Sequence, residues 1–321
     1  MILYYNNGNK YIKGVDCMQY LVLLVGFICL IKGADLFVEG SSSVAKKFHI
    51  PSMIIGLTIV AIGTSAPEAS VSITSALVGQ NDICIANVVG SNIFNILMVL
   101  GISSMIYKLP VKESTIKKDI PVLIGACIST LIFSINNYFS MFEGLILLSL
   151  FTWYIYSLIK ESKNSTEEEV LNDLSTFKTV LYIGIGMTGI ILGGNLTVDA
   201  ASMIAAQLGL SQNLIGLTVV ALGTSLPEFV TSVTATRKGE VDIAIGNVIG
   251  SNIFNILLVL GASSMICPLY ISIESIIDVL FMTTITIIIW LFIKKDKIIN
   301  NKHGLIFVML YIGYLIYTII R

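Results

Sequence analysis

Long stretches of hydrophobic residues alternate along this chain with short polar segments that carry most of the charges. An α-helix needs ~20 apolar residues to cross the hydrocarbon core of a bilayer, whereas a barrel strand needs only ~10 residues of alternating pattern. The stretches are long and apolar all round, so the pattern predicts an all-α membrane protein. Ten transmembrane helices are expected, near residues 18–38, 52–79, 82–107, 119–138, 141–160, 177–198, 212–236, 241–267, 274–293 and 303–320.

The composition narrows the class of protein further. Of 321 residues, 55% are hydrophobic and 12% are charged, and a net charge of -1 provides no positive field for a nucleic-acid backbone. The five cysteines stand singly, without a CxxC pair, so neither a disulfide framework nor a zinc site is expected. We therefore expect a protein whose partners are the lipid bilayer and small solutes, with no nucleic acid and no cofactor.

Basic residues are distributed unevenly between the two sets of alternate loops. The loops of one set, with both termini, hold only Lys10, Lys13 and Arg321. Because loops rich in Lys and Arg stay in the cytoplasm, both termini are expected on the outer side of a plasma (inner) membrane. The fifteen basic residues of the other set are Lys46, Lys47, Lys108, Lys112, Lys117, Lys118, Lys160, Lys163, Lys178, Arg237, Lys238, Lys294, Lys295, Lys297 and Lys302.

The spans divide the chain into four parts. We expect an N-terminal tail at 1–17, a first five-helix repeat at 18–160, a cytoplasmic linker at 161–176 and a second five-helix repeat at 177–321. The linker is acidic, but it lacks the alternating ligands and the central glycine of a calcium loop. We interpret it as a solvated connection.

The two groups of helices are copies of one another. A shift of 160 residues aligns 55–106 with 215–266 without a gap, and 34 of the 52 positions are identical. Equivalent positions are separated by five spans, an odd number, so the second copy is upside down relative to the first. Such inverted repeats are frequent in secondary transporters, whose substrate binds between the repeats near the middle of the membrane.

Two identical acidic positions, Glu68 and Glu228, fall near the middle of their spans. Packing of like helices would explain the shared small and apolar residues, but an ionised carboxylate at that depth costs several kcal/mol unless it faces a partner or water. Each glutamate ends a Gly-Thr-Ser-x-Pro-Glu segment, whose proline breaks the helix, and irregular backbone is tolerated at this depth only where it lines a cavity. The carbonyls expected to lose partners belong to Ala61, Gly63, Ala221 and Gly223.

The polar residues near the two glutamates offer hard oxygen ligands. Helical spacing places Thr64 on the face of Glu68 and Ser91 on the face of Asn95. No histidine or thiolate accompanies them, so the set suits Ca²⁺ or Na⁺ rather than zinc or copper. Two ionised glutamates neutralise one Ca²⁺, or two Na⁺ with a third held by neutral oxygens, so one site can hold either load in turn. The second copy supplies Thr224, Glu228, Ser251 and Asn255.

Two alternatives stay open for the neutral groups. The serine hydroxyls near the glutamates can bond back to their own helices, as is common for Ser and Thr in membranes. The repeated asparagine amides suit helix packing as well as they suit ion ligation. The serines are Ser65, Ser91, Ser225 and Ser251, and the asparagines are Asn87, Asn92, Asn247 and Asn252.

The segments GTSAPE and GTSLPE, each followed by GSNIFNIL, resemble the signature of the cation/calcium exchanger superfamily, in particular its prokaryotic sodium/calcium antiporters. The resemblance covers all ten predicted spans. It implies a ten-helix antiporter that exchanges Ca²⁺ for Na⁺ by alternating access, with the first and sixth helices sliding against the other eight. The ion ligands that it implies are the side chains of Thr64, Ser65, Glu68, Ser91, Asn95, Thr224, Ser225, Glu228, Ser251 and Asn255 and the carbonyls of Ala61 and Ala221.

The sequence leaves the driving ion open, because a buried glutamate can take up a proton as well as sodium, and proton/calcium exchange is the alternative.

Some prokaryotic relatives carry an acid at the position of Asn255, and the family implies an aspartate there in potassium-dependent exchangers. The asparagine here therefore predicts transport without potassium. A passive channel leaves the inverted repeat without a role. A hydrolase would need a nucleophile and a base, and no histidine or aspartate dyad accompanies Ser65. We expect the protein to function as a monomer.

Overall fold

The computed structural model describes residues 17–164, 174–210, 219 and 221–321. Seven helices within these residues are long and apolar enough to cross a membrane. An eighth crossing is added when two helices that meet at a bend of 50° are counted as one span. The predicted span at 212–236 begins outside the described residues.

The helices follow the predicted spans in chain order. The first and the seventh, α1 and α7, have 32 residues each and extend past the predicted 18–38 and 177–198. Hydropathy missed the end of α1 because it carries serines that are buried against protein rather than lipid. The helices are α1 Cys17–Phe48, α2 Ser52–Thr64, α3 Ala66–Leu77, α4 Asn81–Ile106, α5 115–133, α6 Met141–Asn164, α7 Thr176–Gln207, α8 Ala221–Gly223, α9 Leu226–Arg237, α10 Val241–Ile266, α11 Ile273–Asp296 and α12 Asn301–Ile320.

Two short antiparallel ribbons lie at opposite ends of α5. Strand β1 (Leu109–Pro110) pairs with β4 (Ile298–Ile299), and β2 (Tyr138–Phe139) pairs with β3 (Leu269–Tyr270). The register joins Leu109 to Ile299 in one ribbon and Leu269 to Phe139 in the other, so a shift of 160 residues converts each ribbon into the other. Segments that are equivalent in sequence therefore lie at opposite ends of the molecule.

The centre of the molecule is formed by α4 and α10. In their most apolar windows, 72% of α4 and 94% of α10 is buried inside the protein, against 33% for α1 and 28% for α7. Helix α1 packs lengthwise against α7 along a glycine-rich seam, where a Cβ on Gly193 would lie 2.6 Å from the backbone nitrogen of Leu30. The absence of side chains at this seam lets the two backbones approach closely.

Candidate ion-binding site

Both Gly-Thr-Ser-x-Pro-Glu segments are broken helices. Helix α2 ends at Thr64 and α3 starts at Ala66, and α8 ends at Gly223 and α9 starts at Leu226. The linking residues have nearly the same conformation, with φ -83° and ψ 8° at Ser65 and φ -90° and ψ 5° at Ser225. Each proline lies in the first turn of the second helix, where its missing N–H has no intrahelical partner to lose. The predicted break is thus confirmed in both copies.

The two glutamates are fully buried at the starts of these second helices. Glu68 and Glu228 are each 0% exposed and lie in the first turns of α3 and α9. A helix N-terminus carries a partial positive charge, so both carboxylates lie where the backbone stabilises negative charge. The Oγ of Ser65 donates to Oε1 of Glu228 at 2.7 Å, and the Oγ of Ser225 donates to Oε1 of Glu68 at 3.0 Å. Each serine therefore donates a hydrogen bond to the glutamate of the other copy.

The threonines before the breaks also contact residues of the opposite copy. The Oγ1 of Thr64 donates to Oδ1 of Asn247 at 3.0 Å, and that of Thr224 donates to Oδ1 of Asn87 at 3.3 Å. Thr64 also interacts with Glu228, and Thr224 with Glu68. The predicted pairing of Thr64 with Glu68 assumed one continuous helix, whereas the break places Thr64 on α2 and Glu68 on α3.

The asparagines that receive these hydroxyls are held by serines that sequence reasoning missed. The Nδ2 of Asn87 donates to Ser72 Oγ, and the Nδ2 of Asn247 donates to Ser232 Oγ, both at 2.9 Å. Because Ser72 and Ser232 are identical in the two copies, the repeat itself contained the signal. Asn87 and Asn247 therefore position the threonines.

The second copy of the GSN segment brings Ser251 to the broken helix of the first. Its Oγ lies 3.5 Å from Glu228 Oε1 and 3.5 Å from the carbonyl oxygen of Ala61. That carbonyl was predicted to lose its partner, but it still accepts the backbone N–H of Ser65 at 3.0 Å, because the helix breaks one residue later than this bond requires. Ala221 begins the short helix α8.

Asn95 and Asn255 lie at the crossing of α4 and α10. Each falls in a π-helical segment, Asn95–Val99 in α4 and Phe254–Leu260 in α10. Such wide turns inside α-helices are frequent at functional sites. Both side chains are fully buried. Their amide nitrogens bond to asparagines of the opposite copy: Asn95 to Asn252 at 3.1 Å and Asn255 to Asn92 at 3.2 Å.

Several buried oxygens of this cluster have no hydrogen-bond partner among the described residues. They are Oε2 of Glu68, Oε2 of Glu228, Oδ1 of Asn95, Oδ1 of Asn255 and Oγ of Ser91. A buried acceptor without a partner costs ~1–3 kcal/mol. A cation satisfies several acceptors at once, so the donor set fits Ca²⁺ or Na⁺.

The cluster contains two carboxylates, those of Glu68 and Glu228. Within residues 17–164, 174–210 and 221–321, no group of three or more His, Cys, Asp or Glu side chains is placed to bind a metal. A cation at this cluster would therefore be bound by two carboxylates and otherwise by neutral oxygens.

A cavity of about 410 Å³ leads to the cluster from one side. It runs between α3 and α7 and ends at Gly223, Thr224 and Pro227 beside the second break. Thr224 is half-buried, whereas its counterpart Thr64 is fully buried. Among the described residues, the cavity therefore reaches one member of the cluster, Thr224.

Comparisons with known proteins agree with this architecture. A family model described as sodium/calcium exchanger protein matches residues 18–160 and 178–320. The putative antiporter CaxA of Alkalimonas amylolytica is 37% identical over 92% of this chain and 96% of its own. The sodium/calcium exchanger MaX1 of Methanosarcina acetivorans is 31% identical over 93% of this chain and 98% of its own.

One solved structure of the sodium-calcium exchanger NCX_Mj superposes on the chain with a TM-score of 0.85 at 33% identity, covering 94% of this chain and 98% of that one. These relatives are exchangers rather than enzymes, which confirms the prediction of an ion antiporter and argues against a hydrolase. The apolar helices and the family together make this a multi-pass membrane protein that takes part in cation/calcium antiport. The chain belongs to the sodium/calcium exchanger family.

Proposed function

We propose that this protein exchanges Ca²⁺ for Na⁺ by alternating access at the site between the two helix breaks. The observation that carries the proposal is the pair of buried glutamates, each with one oxygen bonded to the opposite copy and one oxygen without a partner among the described residues. Two such carboxylates balance one Ca²⁺ or two Na⁺. Binding one load therefore excludes the other, which is what an exchanger requires.

We assign the ligands as the resemblance implies. The proposed set is Glu68 and Glu228 with the hydroxyls and amides around them and the carbonyls of Ala61 and Ala221. Support comes from the contacts of Ser65, Ser225 and Ser251 with the glutamates and from the unpartnered oxygens of Ser91, Asn95 and Asn255. Since both halves of the site come from one chain, a monomer suffices.

The proposed architecture is ten transmembrane helices in two inverted repeats of five. The exchange of the two ribbons by the repeat shift supports it, as does the 160-residue offset between α3 and α9. In this arrangement α8 and α9 are the inner part of a seventh span whose start lies outside the described residues. The ribbon of β1 and β4 lies at the end rich in Lys, which the charge rule assigns to the cytoplasm of a plasma membrane. Both termini and the cavity between α3 and α7 then face outside.

Sodium is the proposed driving ion rather than protons. MaX1 is named a sodium/calcium exchanger, and NCX_Mj is named a sodium-calcium exchanger with structures in Na⁺, Ca²⁺ and Sr²⁺. CaxA is named only as a putative antiporter. The neutral amide of Asn255 adds no third charge, so potassium has no deficit to offset.

Calcium uptake into proteoliposomes tests the proposal. Vesicles loaded with Na⁺ and diluted into Na⁺-free medium with radioactive Ca²⁺ should accumulate calcium above equilibrium, with or without K⁺. Vesicles with an outward proton gradient and no Na⁺ should not. Uptake driven by protons alone would establish the alternative, and calcium flux that never exceeds equilibrium would indicate a channel.

A further inference from the structure

Two asparagines outside the ligand set, Asn92 and Asn252, connect the two copies at the crossing of α4 and α10. The Nδ2 of Asn92 donates to the backbone carbonyl of Asn252 at 3.2 Å, and the Nδ2 of Asn252 donates to the backbone carbonyl of Asn92 at 3.3 Å. Both side chains are fully buried. A backbone carbonyl accepts hydrogen bonds and cannot donate, so each of these amides must turn its nitrogen toward the other helix.

This orientation fixes where the amide oxygens point. Oδ1 of Asn252 meets the side chain of Asn95, and Oδ1 of Asn92 meets the side chain of Asn255. An oxygen must be met by a donor, so Asn95 and Asn255 each present their Nδ2 to it. Their own Oδ1 atoms are thereby turned away, and both are buried without a partner among the described residues.

These hydrogen bonds, which run from Asn95 to Asn252 and from Asn255 to Asn92 and are called the relay below, decide which end of each amide faces a cation. An amide has an oxygen at one end, which attracts a cation, and an NH₂ group at the other, which repels it. If Asn95 or Asn255 turned over, two N–H donors would face the ion in place of a ligand. Among the described residues, no hydrogen bond from its own helix holds either amide in place, whereas the asparagine of the opposite copy does.

We propose that Asn92 and Asn252 are positioning residues that hold the oxygens of Asn255 and Asn95 toward the bound cation. The inference rests on the proposed ion site. In this arrangement, the GSN segment of each copy orients the asparagine ligand of the opposite copy. Because all four asparagines lie on α4 and α10, the relay is independent of where α1 and α7 stand.

The crossed connection is tested by calcium affinity in double-mutant cycles. Calorimetric titration of the purified protein with Ca²⁺ in Na⁺-free buffer gives the dissociation constant. Asn92→Ala should weaken binding about tenfold, the effect of one lost ligand orientation. In an Asn255→Ala background the same change should have no further effect, whereas in an Asn95→Ala background it should still weaken binding about tenfold. Asn252→Ala should show the reverse pattern. It should leave the calcium affinity of the Asn95→Ala variant unchanged and weaken that of the Asn255→Ala variant about tenfold.

A role in packing alone gives a different result. It would lower the thermal unfolding midpoint equally in every background and leave the calcium affinity of the folded protein unchanged. Asn92→Ser and Asn252→Ser, which fill more of the space but are too short to reach the ligand amide, should repeat the affinity loss. Failure of all four single variants to fold, or coupling within one copy instead of between copies, would overturn the proposal. If the unmodified protein binds no calcium in this assay, the ion site itself is wrong.

Discussion

The two routes to the central site differ although the repeat makes them equivalent in sequence. On the proposed outer side, α3 and α7 are separated by the cavity of about 410 Å³. On the inner side, the equivalent helices α9 and α1 pack against each other, and Phe37 of α1 is fully buried with its ring against Gly63. The position equivalent to Phe37 is Thr197 on α7. Among the described residues, the route beside α3 and α7 therefore contains a cavity and the equivalent route is packed, which agrees with the proposed alternating access.

The inner side is also closed by polar contacts between α1 and the turn that joins α9 to α10. The Nζ of Lys238 donates to the carbonyl oxygen of Asp35 at 2.8 Å and lies 3.4 Å from Oε2 of Glu39. The Oγ of Ser42 donates to Oε1 of Glu240 at 2.6 Å. These contacts bind the tip of the turn to the side of α1.

The outer turn cannot make the same contacts. Val78 stands at the position equivalent to Lys238, and Gln80 at the position equivalent to Glu240. Asn195 and Asp199 of α7, the counterparts of Asp35 and Glu39, instead line the cavity. Residues that are identical in the two copies therefore form the candidate site, whereas residues that differ between the copies make the two routes to it unlike in this structure.

Among the changes that distinguish the two routes, filling the outer cavity should produce the largest effect. Gly194 lines it, and a Cβ there would lie 3.7 Å from the nearest atom of another segment, an ordinary van der Waals contact, so the first side-chain atom fits without a clash. Gly194→Phe should lower sodium-driven calcium uptake at least tenfold by occupying the outer route. Gly184→Phe is the matched control on the same helix, at an exposed position with open space around it, and should transport normally. Equal rates in the two variants would show that ions do not use this cavity.

Thiol labelling of equivalent positions should show a smaller but direct difference. Ser70 is exposed in the outer cavity, and its counterpart Val230 lies on the packed inner side. In a cysteine-free background and Na⁺-free buffer, Ser70→Cys should react with a membrane-impermeant maleimide added outside, several-fold faster than Val230→Cys reacts with the reagent added inside. Equal labelling would contradict the assignment of open and closed sides.

Removing the lysine of the inner turn should have the smallest effect. Exposed ion pairs contribute ~0.2–1 kcal/mol, so Lys238→Ala should raise the inward-open population by about fivefold at most. Inside labelling of Val230→Cys measures that population, and the exposed Lys302→Ala serves as control. A reduced labelling rate in Lys238→Ala would mean that this contact opens the inner side rather than closing it.

Much of the site could be predicted from sequence because it depends on residue type and depth. Glu68 and Glu228 stood out because an acid in the middle of a membrane span is costly unless it has a function. The prolines beside them predicted the helix breaks. The crossed contacts, such as Ser65 with Glu228, could not be predicted, because an internal repeat shows which residues are equivalent but not which copy each one touches. The asymmetry between the two routes was also hidden, since one sequence must support both the outward and the inward state.

The extent of α1 was missed for a different reason. Hydropathy measures contact with lipid, whereas Ser41, Ser42 and Ser43 at the end of α1 are buried against protein. The hydroxyl of Ser42 donates to Glu240, and that of Ser43 lies 2.8 Å from the hydroxyl of Thr179 on α7. Polar residues that pack between helices therefore look like the end of a span when only the sequence is read.

The central claim is that Glu68 and Glu228 hold the transported ion together, and carboxylate-to-amide exchange tests it most directly. Glu68→Gln and Glu228→Gln keep the size of the side chain but remove one of the two charges that balance Ca²⁺. Each should reduce sodium-driven calcium uptake in proteoliposomes to background while the protein elutes as a folded species. Glu274→Gln, an exposed glutamate also in the first turn of a helix, should transport at the normal rate. Uptake near the normal rate in either Glu68→Gln or Glu228→Gln would contradict the shared site.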